Sequence, residues 1–204
     1  MTTIRSFIAI ELSDEARAAL ADLQNRFKAV TPAHAVRWAA PESIHMTLHF
    51  LGDVAADDVE KITELIQLAA LPYPPFDLTV GGLGCFPNTR RPRIIWVGVS
   101  GQTELLLNLQ QNLGEKLKEI GFTPEARSYA PHLTVGRVKD GLPQRQLTQL
   151  GQMLEREQSK VGQLATLPVT KISLMKSELK PAGSVYTRLA SVGLNKSLVV
   201  KMSF

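Results

Sequence analysis

The chain has 204 residues, of which 44% are hydrophobic and 21% charged, and its formal net charge is +4 at pH 7. That size suits one large domain or two small lobes, and no apolar run approaches the roughly 18 residues of a membrane-spanning helix. One cysteine, Cys85, excludes an intrachain disulfide and a multi-cysteine metal site. With no signal-peptide pattern at the start, the expectation is a reducing cytoplasm.

Residues 4–12, IRSFIAIEL, read as a strand. Ser13 is a helix N-cap, followed by Asp14 and Glu15 in the first turn. Ala16, Leu20, Leu23 and Phe27 then recur at helical spacing until Pro32. AVRWA (35–39) is a short strand, and Pro41-Glu42-Ser43 turns into SIHMTLHFLG, which Gly52-Asp53 closes. A second helix carries Val59, Ile62 and Ile66 on one side, and prolines 72, 74 and 75 break the chain after it. FDLTVGGLGCF and RIIWVGV form a strand pair around the loop 87–93.

A shift of 87 residues lays IIWVGVS (94–100) on FIAIELS (7–13) and PHLTVGRVKD (131–140) on IHMTLHFLGD (44–53). Each first strand leads into a helix, the later one being TELLLNLQQNLGEKLKEI. Each second strand leads through a polar turn into another, the later one being PQRQLTQLGQMLEREQ. Each half ends in two strand candidates, which in the later half are LPVTKISLMK (167–176) and SVYTRLASVGL (184–194). The chain therefore reads as one domain, 1–204, built by internal duplication of units at about 4–90 and 91–192. The expected fold class is α+β and bilobal. Two antiparallel-dominated sheets face a central cleft, related by a pseudo-two-fold axis, with helices outside.

Strand alternation sets the faces. It predicts Met46, Leu48 and Phe50 on the core side and His45, Thr47 and His49 on the other. Leu133 and Val135 likewise oppose His132 and Thr134. If the lobes are symmetric, two His-x-Thr faces meet across the cleft. Imidazoles titrate near neutrality, so one can accept a proton while the other donates. Threonine hydroxyls can donate to phosphate-type oxygens. His49 has no counterpart, since Gly136 stands in its place, and reads as a bystander or support; His34 reads as incidental. His45 and His49 on a strand lie about 13 Å apart, too far for shared zinc, and no metal or other cofactor is expected. No GxSxG elbow and no P-loop occur. Arg127 and the arginines at 90, 91 and 93 form local basic clusters that permit an anionic partner.

These residues resemble the two-histidine (2H) phosphoesterases, and within them the RNA 2',3'-cyclic phosphodiesterases, historically called 2'-5' RNA ligases. The paired HxTx signature is His45-Met46-Thr47-Leu48 and His132-Leu133-Thr134-Val135. SFIAIELSDEARAAL, VRWAAPESIHMTLHFLGDV, FPNTRRPRIIWVGV, RSYAPHLTVGRV and GSVYTRLASVGL extend the likeness over nearly the whole chain. The resemblance implies metal-independent hydrolysis of RNA 2',3'-cyclic phosphodiester ends to 2'-phosphomonoesters. His45 would be proton donor, His132 proton acceptor, and Thr47 and Thr134 would hold the phosphoryl oxygens. It also puts forward Arg137 for phosphate, Phe7 for base stacking and Tyr186 for the cleft wall, and Trp38 could support a base. Strand parity places Arg137 opposite His132, so it reaches the cleft only from a strand end or past a bulge. The implied partner is RNA with a 2',3'-cyclic end or a small cyclic nucleotide, with no membrane and a monomeric state. A 2'-5' ligase running the reverse reaction and a non-catalytic RNA-end-binding module remain the alternatives.

Overall fold

The computed structural model describes residues 2–123, 128–181 and 183–197. In chain order the elements are β1 (Thr3–Glu11), α1 (Asp14–Val30), β2 (Val36–Trp38), β3 (His45–Ala55), α2 (Val59–Ala70), β4 (Phe76–Phe86), β5 (Ile94–Gly101), α3 (Thr103–Lys118), β6 (His132–Val138), α4 (Gln144–Gln158), β7 (Gln163–Val169), β8 (Lys171–Lys180) and β9 (Gly183–Gly193). The strands form two antiparallel sheets, ordered β3-β1-β8-β9 and β2-β6-β5-β4-β7. The α+β, two-lobed expectation holds. Among the described residues no helix is long and apolar enough to cross a membrane.

Each sheet draws on both halves of the chain. β4 leaves the first half to join β5 and β6, and β8 and β9 return to join β1 and β3. The helices cross as well. α1 follows β1 but packs against β7, and α3 follows β5 but packs against β3 and α2. Amphipathic stripes drive this packing. Ser13 accepts from the Ala16 N–H, and Ala16, Leu20, Leu23 and Phe27 are buried as their spacing requires. Leu106, Leu109, Leu113 and Leu117 do the same for α3. The apolar core runs continuously through both lobes; a small cluster of Phe7, Ala9, Met175 and Tyr186 sits apart from it.

Two sequence-level boundaries move. The stretch 167–176 is not one strand: β7 ends at Val169 in one sheet, and β8 starts at Lys171 in the other. Both segments are β-rich, so composition hides the crossover. β3 also runs past Gly52 to Ala55. Gly52 takes a φ of 70°, open to glycine at little cost, and itself pairs with Ser6 of β1, the residue skipped in the register being Leu51.

Candidate active site

The alternating pattern holds only up to the threonine of each motif. His45 pairs with Glu11 and Thr47 with Ala9, but the next pair is His49 with Ile8, leaving Leu48 as an extra residue. The second motif does the same. His132 pairs with Gly98 and Thr134 with Trp96, then Gly136 pairs with Ile95 and Val135 is extra. Each bulge reverses the parity of the residues beyond it. Two face assignments are therefore corrected. His49 points to the helices and is 8% exposed, and Phe50 lies opposite Phe7 on the cleft side and is 64% exposed. The same reversal turns Arg137 to the face of His132 and Thr134, where it pairs with Ile94 on one side and Arg37 on the other. A bulge is the route by which Arg137 reaches the cleft.

The two histidines are mounted alike. Nδ1 of His45 lies 2.8 Å from the Ser43 carbonyl, and Nδ1 of His132 lies 2.7 Å from the Ala130 carbonyl. A carbonyl only accepts, so each Nδ1 carries the proton and each Nε2 is left for other work. The ring of His45 stacks on Phe7 at 4.6 Å and meets the edge of Tyr186 at 4.9 Å. His132 meets Phe86 edge-on at 5.1 Å, with Trp96 at 6.5 Å. Trp96 lies flat over Gly84, where an added Cβ would come within 2.2 Å of the indole ring.

The surroundings differ. Glu11, across from His45, is gripped by both nitrogens of the Arg188 fork and by the Ser173 hydroxyl. Arg188 holds its carboxyl below the ordinary range. The matching position beside His132 is Gly98. Burial is the largest influence on His45 and holds its imidazole below the usual value. Arg137 adds to this; the Ser43 carbonyl and Glu11 oppose it. Burial, and after it the nearby charge of Glu155, raises the Cys85 thiol above its ordinary value. Among the described residues no three His, Cys, Asp or Glu side chains gather in a metal-holding group.

Cross-chain hydrogen bonds fix the motif strands. Tyr129, a neutral donor because burial raises its phenol, gives its O–H to the Thr47 carbonyl at 3.0 Å. Gln24 of α1, 1% exposed, donates from Nε2 to the carbonyls of Val135 and Ala39, both at 2.8 Å. The Val135 carbonyl belongs to the bulged residue, so a helix of the first half holds the bulge of the second. At the other bulge His49 donates from Nε2 to the Gln110 carbonyl of α3 at 2.8 Å. Replacing Gln24 with Leu removes both donations: the Val135 carbonyl keeps only the Ala39 N–H at 3.0 Å, and the half-buried Ala39 carbonyl loses its side-chain donor. We expect about 1–3 kcal/mol loss of stability, read as a lower urea midpoint at unchanged m.

The cleft thus gathers His45, Thr47, His132, Thr134 and Arg137. Phe7 and Tyr186 form the wall behind His45. Phe7 is 3% exposed, which corrects its placement as a base platform. Trp38 is also corrected: it packs against Phe27 of α1, over Gly136, on the helix side. Arg127 lies outside the described residues. No motif in the sequence marks Glu11, Phe86, Trp96, Tyr129 or Arg188, which join the site only through strand pairing and packing. The one available signal was Gln24, a polar residue inside an apolar stripe.

A family model described as LigT like phosphoesterase matches the chain twice, over residues 10–96 and 97–186. A protein of Methanothermobacter thermautotrophicus named RNA 2',3'-cyclic phosphodiesterase is 36% identical over 184 residues, covering 90% of this chain and 95% of its own. One of the same name from Archaeoglobus fulgidus is 32% identical over 186 residues, covering 91% and 98%. A crystal structure of a Thermus thermophilus protein has a TM-score of 0.76 at 27% identity, covering 94% and 98%. E. coli LigT, solved in complex with 3'-AMP, shares the fold at a TM-score of 0.73 and 23% identity, covering 95% and 99%. The two model matches take in the motif strands of both sheets, and the chain belongs to the LigT-like phosphoesterase family.

Proposed function

We propose that the chain hydrolyses RNA 2',3'-cyclic phosphodiester ends to 2'-phosphomonoesters by paired-histidine acid–base catalysis. One observation carries the reading: two histidines on matched strands, each with Nδ1 tied to the carbonyl two residues back and Nε2 left over. Water attacks phosphorus while Nε2 of His132 takes its proton. The bond from phosphorus to the 3' oxygen breaks, and Nε2–H of His45 protonates that oxygen. The phosphate stays on the 2' oxygen. Thr47 and Thr134 donate to the phosphoryl oxygens, where negative charge builds. Arg137 offsets the charge of the bound diester.

The donor must hold a proton, yet burial and Arg137 favour neutral His45 in the free protein. A diester anion between the histidines reverses the second influence and favours the imidazolium. Substrate binding itself then charges the acid.

The duplicated ancestry, units about 4–90 and 91–192, is supported by the double family match and by the matching strand orders β3-β1-β8 and β6-β5-β4. RNA, rather than a small cyclic nucleotide alone, is favoured by exposed Arg37, Arg90, Arg91, Arg93 and Arg137. Among the described residues none of the five is in an ion pair. The test is turnover of a cyclic-ended oligoribonucleotide in EDTA at two salt concentrations. We expect full activity with chelator and a fall in kcat/KM with salt. Abolition by EDTA would overturn the mechanism.

A further inference from the structure

The two histidines share a mount but not a neighbour. Glu11 pairs directly with His45 across β1 and β3, which sets both side chains side by side on the cleft face. The residue in that place beside His132 is Gly98, and the partner of Gly98 across β4 is Gly81. One sheet thus sets a carboxylate against its histidine, and the other sets bare backbone.

The carboxylate is fixed in place. Arg188 donates to Oε1 from Nε at 2.7 Å and to Oε2 from Nη2 at 2.5 Å, and the Ser173 hydroxyl donates to Oε1 at 2.5 Å. Ser173 is 1% exposed. All three donors come from β8 and β9, and β1 lies between β8 and β3. Glu11 is therefore tied from the side away from His45. The Nδ1 proton of the ring goes to the Ser43 carbonyl instead. Glu11 acts on the imidazole through its charge, in opposition to Arg137. Arg188 keeps the carboxylate ionised and screens part of that charge. The other charged or titratable groups about the ring are Arg137 and His132 of β6, Tyr186 of β9 and, beside Glu11, Lys171 of β8. Glu42, in the turn before β3, is exposed.

We propose that Glu11, held by Arg188 and Ser173, is the positioning residue that makes His45 rather than His132 the proton donor. The inference rests on the function proposed above, in which the two motifs are otherwise equivalent. A donor has to arrive protonated, and a fixed anion beside one imidazole favours its charged form. No such anion pairs with the other.

The test is pH titration of the imidazole carbons by NMR in histidine-labelled protein, with H45A and H132A assigning the two rings. It is run beside kcat/KM against pH for adenosine 2',3'-cyclic phosphate. Glu11→Gln keeps the shape of the side chain and removes its charge. The His45 midpoint should fall, that of His132 should move less, and kcat/KM on the alkaline limb should drop about tenfold. Arg188→Met frees the carboxylate from its counter-charge, so the His45 midpoint should rise. The double variant E11Q/R188M should lie between the two singles. Both singles break the same ion pair, so a purely structural role would move the ring in one direction. An E11Q midpoint that stays in place, or singles that shift it alike, would overturn the proposal. If the unaltered protein turned over no cyclic phosphate, the proposed function would fall, and the NMR midpoints would still decide whether Glu11 charges His45.

Discussion

Alanine at His45 or at His132 is expected to slow hydrolysis of a 2',3'-cyclic phosphate by about 10²–10⁴-fold, and the double variant should be little worse than the poorer single one. The non-additivity arises because both serve one proton-transfer cycle, so losing either breaks it. Neither change should unfold the protein, since both side chains line the cleft face and leave the core of Leu133, Val135, Met46 and Leu48 intact. The pH profile carries a second signature. His45 acts protonated, and its value in the free protein is below the ordinary one. In kcat/KM, which reports the free enzyme, activity should fall as pH rises through that lowered value. In kcat the same limb should sit at higher pH, because bound diester favours the imidazolium. A limb unmoved between the two, or alanine variants of full activity, would contradict these roles.

Valine at Thr47 or Thr134 is the other large expected effect, about 10²–10³-fold in kcat for each. Valine keeps the β-branched shape that suits a strand and removes only the hydroxyl. The tie from Tyr129 reaches the Thr47 backbone carbonyl, so it survives the change. Loss should therefore fall on kcat with an unshifted urea midpoint. Donors aimed at the substrate ground state would raise KM instead, and unchanged kinetics would remove the threonines from the phosphoryl site.

Much of this was legible in the chain. Ser13 and the Ala16, Leu20, Leu23 and Phe27 stripe set the first helix with its ends. The repeated His-x-Thr located both halves of the cleft. What alternation could not supply was the bulge after each threonine. A bulge depends on pairing with a partner strand, which a single segment does not record. For that reason alternation alone puts Phe50 and His49 on each other's faces, and Arg137 reaches the cleft only by way of a bulge. An amphipathic stripe likewise says which side of α1 is buried, not that the buried side lies on the opposite sheet. Trp38 reads as a binding aromatic beside a motif until its partner in β6 is seen to be Gly136, which leaves room for the indole among the helices.

The most direct measurement is phosphorus NMR of the product formed from RNA with a 2',3'-cyclic end, incubated in EDTA. The expected spectrum shows the 2'-phosphomonoester, from rupture of the bond to the 3' oxygen with His45 as donor. A 3'-phosphate, or an unreacted cyclic end, would contradict it.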